Sequence, residues 1–341
     1  MTDKLKHELA RTGLDIGFAI REKINSIPRY QRGDLTTSVL KPYYGANAKL
    51  ADAEGEKVGF ELLKKLSEKT DKKVKVVIDP SKDAILEIGN QSDSKSIYAY
   101  LDAVDGTMKV AGLFSEPEKR IYRVGNNGVW STGIAFTMPT QKDLSELSFG
   151  DFEISAIVDG NPTSYRSYPT NAFVRPNNEI MKVFEKDEQS GNCYELHTSS
   201  QTDLSKGTVL FDSFQAFDRK SAKPGSEELA SKVFSRLMNR NSGGAFDIVR
   251  MYSNMGEVLR QCLERSESDH RYEPQSVGSL TINENLPNLM PVRPVIENAG
   301  GYAVDFEGNP IREKKLKTGR QNVIIAANPG IKESLLKIVK L

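Results

Sequence analysis

The hydrophobic period of the sequence changes near residue 74, and this change restricts the possible folds. Before it, two segments carry apolar residues at helical spacing, over residues 3–27 and from about residue 52 to 67. After it come short segments rich in β-branched and aromatic residues, each ended by Pro, Gly or a turn. The predicted strands are residues 74–80, 83–89, 96–104, 131–139 and 151–162. Helices followed by a run of strands predict a mixed α/β protein.

The second half of the chain alternates between helical and strand patterns. Predicted helices cover residues 228–240, 292–301 and 331–340, and predicted strands cover 302–308 and 322–328. A long helical pattern also follows Gly243-Gly244, over residues 245–265. A stretch rich in Pro, Thr, Ser and Asn near residues 163–175 is the predicted boundary between two domains. The prediction is therefore an N-terminal domain of residues 1–165 and a C-terminal domain of residues 166–341.

Composition and charge exclude several classes of protein. Hydrophobic residues make up 38% of the 341 residues, which is enough to bury a core and excludes disorder of the whole chain. The 47 basic and 46 acidic residues leave a formal net charge of +1, so the usual electrostatic case for nucleic-acid binding is absent. No run of 18 apolar residues is present, and the charged N-terminus lacks the apolar core of a signal peptide. We therefore expect a cytoplasmic protein without nucleic-acid or membrane partners, and Cys193 and Cys262 as reduced thiols.

The sequence Asp102-Ala103-Val104-Asp105-Gly106-Thr107 lies where a predicted strand ends. Two carboxylates with a turn between them can converge on Mg²⁺, which prefers oxygen ligands. Gly106 permits close approach of the backbone, and free amides at a following helix start could bind phosphate. The alternative is a solvated Asp-Gly turn, which the spacing alone favours.

Three more acidic residues are candidates for the same site. Asp52 and Glu56 lie four residues apart and share one helical face, although the pair by itself is better explained as an exposed acidic helix N-terminus. Glu87 lies in an otherwise apolar predicted strand. It is either exposed at a sheet edge or a metal ligand, and the sequence leaves both open.

Two further motifs lie in the C-terminal half. The first is Gly243-Gly244-Ala245-Phe246-Asp247, and the second is residues 298–301 (Asn-Ala-Gly-Gly) followed by residues 305–310 (Asp-Phe-Glu-Gly-Asn-Pro). With the three acidic motifs, they resemble in order and rough spacing the Mg²⁺-dependent, lithium-sensitive phosphomonoesterases. That family includes inositol monophosphatase, fructose-1,6-bisphosphatase and the 3′-phosphoadenosine phosphatases. The resemblance extends from about residue 45 to residue 328.

The sequence departs from the family pattern at several points. Ala103 replaces the Pro of the central D-P-I/L-D-G-T motif, and Glu87 is the single remaining member of an acidic pair. The Asp of a W-D motif falls at Asn288 in an ungapped count, with Glu284 as the alternative if a gap intervenes. About a dozen residues are inserted at positions 115–127.

The resemblance implies a role for each motif residue. The implied metal ligands are Glu87, Asp102, the carbonyl of Val104, Asp105 and Asn288. The implied catalytic residues, which position the attacking water, are Thr107, Glu87 and Asp52. The implied phosphate-binding groups are the amides of Gly106 and Thr107.

The resemblance also implies a fold and an activity. The fold is an α+β layered protein, an α-β-α-β-α sandwich. The activity is Mg²⁺-dependent hydrolysis of a small phosphomonoester, such as an inositol phosphate, fructose 1,6-bisphosphate or a 3′-phosphonucleotide, by a homodimer or homotetramer. The alternative is a family member that has lost catalysis and serves as a binding or structural subunit. Lys119, Arg120 and Arg123 of the insertion predict a preference for substrates with a second anionic group, unless that segment is a solvated loop.

Overall fold

The structure is a computed structural model of the chain. It describes residues 1–28, 31–44, 48–90, 96–105, 130–138, 143–160, 169–217, 222–240, 243–250, 255, 263–265 and 276–340. The helices are α1 (Asp3–Ser26), α2 (Lys41–Tyr44), α3 (Leu50–Thr70), α4 (Phe214–Phe217), α5 (Ser226–Met238), α6 (Val292–Asn298) and α7 (Pro329–Val339). The first eight strands are β1 (Leu35–Thr36), β2 (Ala48–Lys49), β3 (Val74–Asp79), β4 (Ala84–Ile88), β5 (Ile97–Asp105), β6 (Ser131–Thr137), β7 (Ile154–Asp159) and β8 (Asn171–Asn177). The others are β9 (Ile180–Lys186), β10 (Cys193–Thr198), β11 (Thr208–Asp212), β12 (Asp247–Arg250), β13 (Leu263–Arg265), β14 (Gly278–Glu284), β15 (Tyr302–Asp305) and β16 (Gln321–Ala326).

Two large sheets form the centre of the molecule. The first has nine strands in the order β13-β10-β9-β8-β7-β6-β5-β3-β4, and the second has five in the order β12-β11-β14-β16-β15. Helices α1 and α3 cover one face of the nine-stranded sheet, where Ile16, Ile20 and Leu63 are fully buried. The spacing of the apolar residues in α1 gives it one buried face, as the sequence predicts.

The remaining helices complete the layers. Helix α6 lies between the two sheets, against β7, β8 and β9 on one side and β15 on the other. Helices α5 and α7 cover the outer face of the five-stranded sheet, where they bury residues such as Val233 and Leu335. The order of layers is therefore helix, sheet, helix, sheet, helix. This confirms the α+β layered sandwich that the resemblance implies.

The predicted domain boundary at residue 165 lies between two paired strands. β7 ends at Asp159 and β8 begins at Asn171, and the two are antiparallel neighbours in the nine-stranded sheet. Backbone hydrogen bonding therefore continues from one predicted domain into the other.

The helical pattern predicted over residues 245–265 is wrong at residues 247–250 and 263–265, whereas Met255, which is also described, is helical. Residues 247–250 form β12, which pairs in parallel with β11, and residues 263–265 form β13. Ile248 and Val249 are β-branched and lie beside Val209 and Leu210 in the ladder. Pairing with a neighbouring strand has outweighed the local spacing of apolar residues. In the part of the chain that is described, no helix is long and apolar enough to cross a membrane.

Candidate active site

A cavity of about 430 Å³ opens where the ends of β3 and β5 meet the first two turns of α3. Its walls include apolar side chains from the segment before α3, from α3 itself and from the two strands. Its polar lining residues are Asp52, Glu56, Asp79, Tyr100, Asp102, Asn285 and Asn288. The cavity therefore combines apolar walls with a strongly acidic lining, which suits a small ligand that carries a bound cation.

The carboxyl group of Asp102 is buried in the cavity and repelled by neighbouring acids. Its pKa lies well above the usual range, because burial disfavours the charged carboxylate and because Asp105, Asp52 and Glu284 repel it. The backbone N–H of Val104 opposes the shift by donating a hydrogen bond to Asp102. Four carboxyl groups from three distant parts of the sequence are thus close enough to interact. A divalent cation is the ligand that would relieve this repulsion.

A β-bulge brings Asp102 and Asp105 to the same side of the sheet. Residues three apart on a regular strand point to opposite faces. Here Asp102 pairs with Gly133 while Asp105 pairs with Ser131, so β5 contains one extra residue between the two pairs. The hydroxyl of Thr132 donates to the carbonyl of Ala103 at 2.8 Å within this bulge. The extra residue reverses the alternation, which explains how both carboxylates can serve one site.

The carboxylate of Asp105 has a backbone partner far along the chain. The N–H of Met255 donates to its Oδ2 at 2.7 Å. Met255 is fully buried, and its sulfur lies close to Gly133 of β6. This contact joins the end of β5 to the second half of the chain.

Helix α3 supplies Asp52 and Glu56, as predicted. Burial raises the pKa of Glu56 to about 7, and repulsion by Asp52 adds to the shift, while hydrogen bonds from Ser38 and the Leu40 N–H oppose it. Lys49, directly before the helix, lies near Asp52. Burial lowers the pKa of Lys49, and attraction to Asp52 opposes that change. One half-buried cation thus balances part of the acidic charge.

The structure does not bring Glu87 to the cavity. Glu87 is exposed on β4, the edge strand, and its carboxylate lies 3.1 Å from the Nζ of Lys73 and 3.6 Å from that of Lys75. Both lysines belong to the neighbouring strand or the residue before it. Of the two possibilities that the sequence leaves open, the structure shows the exposed edge residue.

Asp79 occupies the position that Glu87 was expected to fill. It is the last residue of β3, lines the cavity, and lies 3.0 Å from Lys82 through its Oδ2. The sequence predicts the end of a strand at Asp79-Pro80, and no motif assigns the carboxylate of Asp79 a role. An acid at the end of a buried strand, one strand away from Asp102, was the signal that could have identified it.

Asn288 lines the cavity, but its amide is engaged within the protein. Its Nδ2 donates to Oε1 of Glu284 at 3.1 Å, and its Oδ1 accepts from the hydroxyl of Tyr100 at 3.3 Å. Glu284, the last residue of β14, is buried and contributes to the repulsion that Asp102 experiences. The gapped alternative of the sequence analysis therefore describes the position of the acid better than the ungapped count.

A second bulge precedes Glu284. The register of β14 shifts between Thr281 and Glu284, and Asn283 adopts a positive φ of 62°. The N–H of Asn283 donates to the side chain of Asn322 at 3.0 Å, and its carbonyl accepts from Arg320 at 3.0 Å. These bonds to the neighbouring segment hold a conformation that is uncommon for a residue other than glycine.

The remaining motifs differ in what the structure shows. Asp305 accepts hydrogen bonds from the N–H groups of Glu307 and Asn309 and so closes the turn after β15, which gives that motif a structural role. Asp247 begins strand β12 rather than a helix. Gly106, Thr107 and the insertion at 115–127 lie outside the described residues, so their implied roles stay predictions.

The donor set fits a divalent cation in its chemistry, since Mg²⁺ prefers carboxylate and carbonyl oxygens. Within the described ranges, however, no three acidic, His or Cys side chains lie close enough together to hold an ion as they stand. A bound ion would therefore have to draw the carboxylates closer than they are here.

Comparison with solved structures identifies the fold. Extragenic suppressor protein suhB from Bartonella henselae superposes with a TM-score of 0.57 at 13% identity, over 98% of both chains. Inositol monophosphatase from Anabaena has a TM-score of 0.54 at 12% identity, over 98% of this chain and 95% of that one. Fructose-1,6-bisphosphatase from Leishmania major has a TM-score of 0.63 at 11% identity, over 98% and 94%. No family model matches the sequence, and no curated protein matches it either.

The layered sandwich is thus the fold of a class of phosphatase structures. More particularly, the chain has the fold shared by inositol monophosphatase and fructose-1,6-bisphosphatase. The resemblance drawn from the sequence motifs is confirmed at the level of the fold.

Proposed function

We propose that this protein is a phosphomonoesterase that uses Mg²⁺ to hydrolyse a small phosphate ester. The observation that carries the proposal is the repulsion of Asp102 by three other carboxyl groups beside a cavity of this fold. A protein gains no stability from buried like charges, so their presence calls for a positively charged ligand. The proposed substrates are an inositol phosphate, a sugar phosphate such as fructose 1,6-bisphosphate, or a 3′-phosphonucleotide.

The proposed ligands for the cation differ in two places from those implied by the sequence. Asp79 takes the role given to Glu87, and Glu284 takes the role given to Asn288. The full proposed set is Asp79, Asp102, the carbonyl of Val104, Asp105 and Glu284. A bound Mg²⁺ would neutralise charge on the phosphate and lower the pKa of a bound water.

The protein's own residues supply the surroundings of the reaction. Leu40, Phe60 and Val76 give the cavity apolar walls, and electrostatic interactions are stronger beside such walls than in bulk water. Asp52 lies at the start of α3, and we retain the proposal that it orients Thr107 and that the amides of Gly106 and Thr107 bind phosphate oxygens.

We also retain the proposal that the protein is a cytoplasmic homodimer or homotetramer. Light scattering on the purified protein tests the assembly.

The second candidate is a binding or structural subunit without catalysis. Two observations favour it: the described acids do not converge closely enough to hold an ion as they stand, and the Glu87 of the family-like motif is at the surface. This candidate predicts no phosphate release under any metal condition.

A screen for phosphate release separates the two candidates. Purified protein is incubated with inositol monophosphates, sugar mono- and bisphosphates and 3′-phosphonucleotides, each with Mg²⁺ and with a chelator. We expect release that requires Mg²⁺ and that falls at least a hundredfold in Asp102→Asn. Asp203→Asn, which changes an exposed acid far along the chain, is the matched control and should retain full activity. Equal activity in Asp102→Asn and wild type would remove the proposed site.

A further inference from the structure

We propose that Asn288 is a positioning residue, which together with Tyr100 holds the carboxylate of Glu284 in the acidic site. The three side chains form a hydrogen-bonded series, Tyr100–Asn288–Glu284, which we call the relay. The inference rests on the proposed function, because it treats Glu284 as a ligand of the cation. It opposes the expectation that Asn288 itself binds metal.

The chemistry of the three groups fixes the direction of the relay. A carboxylate only accepts hydrogen bonds, whereas a phenol can donate one. The side-chain amide of Asn donates through Nδ2 and accepts through Oδ1. The Tyr100 hydroxyl donates to Oδ1 of Asn288, and Nδ2 of Asn288 donates to Oε1 of Glu284. Reversing the amide would place Oδ1 against a carboxylate oxygen, so the carboxylate selects the orientation, and the phenol, which can donate or accept, fits it as the donor.

The relay joins two elements that the proposed site needs together. Tyr100 lies on β5, two residues before Asp102, whereas Glu284 ends β14 in the other sheet. Tyr100 is 8% exposed and Glu284 is 2% exposed, and the two bonds are partly buried beside the cavity. Hydrogen bonds in such surroundings are electrostatically stronger than at the surface. The relay therefore sets the position of Glu284 relative to the strand that carries Asp102.

The backbone before Glu284 is held from a different direction. Asn322 and Arg320 bind the N–H and the carbonyl of Asn283 at the bulge of β14. These contacts fix the backbone from which the Glu284 side chain extends, whereas the relay fixes the position of its carboxylate. Loss of Asn288 would leave the backbone in place and release only the carboxylate, so the effect should fall on the cation rather than on the fold.

Asn288→Asp separates a positioning role from a ligand role. As a ligand, an added carboxylate would strengthen binding of a divalent cation. In the relay, the same change removes the donor to Glu284 and places a second negative charge against it. We therefore expect Asn288→Asp to weaken Mg²⁺ binding about tenfold, as is typical when a group that orients a ligand is lost.

The experiment is calorimetric titration of the full-length apo protein with Mg²⁺ and with Mn²⁺. Asn288→Ala should lower affinity about tenfold, and Tyr100→Phe, which removes a single hydroxyl, about three- to fivefold. In the double variant the loss should not exceed that of Asn288→Ala alone, because both changes break the same relay. Tyr98→Phe, a neighbour on β5 that lies outside the relay, is the matched control and should bind as wild type. The melting temperature of each apo variant should stay close to that of wild type.

The possible results separate the two proposals. Tighter binding by Asn288→Asp, unchanged binding by Asn288→Ala, or additive losses in the double variant would overturn the relay and leave the phosphatase proposal standing. A wild-type protein that binds neither metal and releases no phosphate would overturn the proposed function, and the relay with it.

Discussion

Asp79 and Glu87 show how two acids on one hairpin can have different uses. β3 and β4 are antiparallel neighbours, yet Asp79 lines the cavity while Glu87 lies beside Lys75 at the outer edge of the nine-stranded sheet. Asp79→Asn should lower Mg²⁺-dependent phosphate release at least tenfold, since a charged donor becomes a neutral one. Glu87→Gln should leave activity unchanged and stability within about 1 kcal/mol, because exposed ion pairs contribute little.

Steady-state kinetics and thermal melting of both variants test this pair. The reverse pattern, with Glu87→Gln inactive and Asp79→Asn active, would restore the ligand set implied by the sequence.

Asp305 makes stability depend on acid pH. Burial opposes ionisation of its carboxyl, but hydrogen bonds from Lys314, at 2.5 Å, and from Asn309 outweigh that effect and lower its pKa. A carboxyl whose pKa is lower in the folded state stabilises the protein above its unfolded pKa of about 3.9. That stabilisation is lost as the pH falls through the pKa of Asp305 in the folded state.

Denaturant unfolding of Asp305→Asn at two pH values measures this contribution. The variant should be about 2–4 kcal/mol less stable than wild type at pH 7, because Lys314 and the side-chain amide of Asn309 lose the acceptor Oδ2, while Oδ1 of the new amide can still accept from the two backbone N–H groups. The difference should shrink below pH 4. A difference that is independent of pH would show that ionisation of Asp305 is not its source.

At the scale of elements, the packing of α1 on the nine-stranded sheet depends on glycine. A Cβ at Gly17 would lie 2.8 Å from the Cβ of Val158 and still closer to one of its methyl groups. Alanine is the better helix former by about 1 kcal/mol, but overpacking at this contact costs about 1–3 kcal/mol. Gly17→Ala should therefore be neutral to destabilising by about 2 kcal/mol, despite the gain in helix propensity.

A double variant tests whether the contact is the cause. In a Val158→Ala background the closest contact, to a methyl group, is absent while the contact between the two Cβ atoms at 2.8 Å remains, so Gly17→Ala should cost less there than in the wild type. The same penalty in both backgrounds would place its origin elsewhere.

Elements with a strong local pattern could be predicted from the sequence, and pairing between distant strands could not. α1, α3 and β3 to β7 follow from periodicity and turn residues, each within about three residues of its observed limits. β12 could not be predicted, because its partner β11 lies far away in the sequence. Likewise, the motifs identified Asp102 and Asp105, and offered Glu284 as the alternative to Asn288, whereas Asp79 required knowledge of where β3 ends relative to β5.

At the scale of the whole molecule, one hydrophobic cluster is shared by the two sheets. The cluster between the two sheets contains Val77 and Ile157 from the first half and Val292 and Ile325 from the second. β7 and β8 also pair across the predicted domain boundary. Neither half can keep its buried surface without the other.

We therefore expect the apo protein to unfold in one transition by scanning calorimetry, with calorimetric and van't Hoff enthalpies in agreement. Two resolved transitions would instead indicate that the predicted domains 1–165 and 166–341 are independent folding units.

The packing of Trp130 gives the molecule a built-in optical probe. It is the chain's single tryptophan, it is 2% exposed, and it lies so close to Gly160 that any side chain there would overlap the indole ring. Ser131, the next residue, pairs with Asp105. Light absorbed at 295 nm is therefore emitted from one known place, directly beside a proposed metal ligand. A change in emission wavelength during a titration would report on that strand end, without any attached dye.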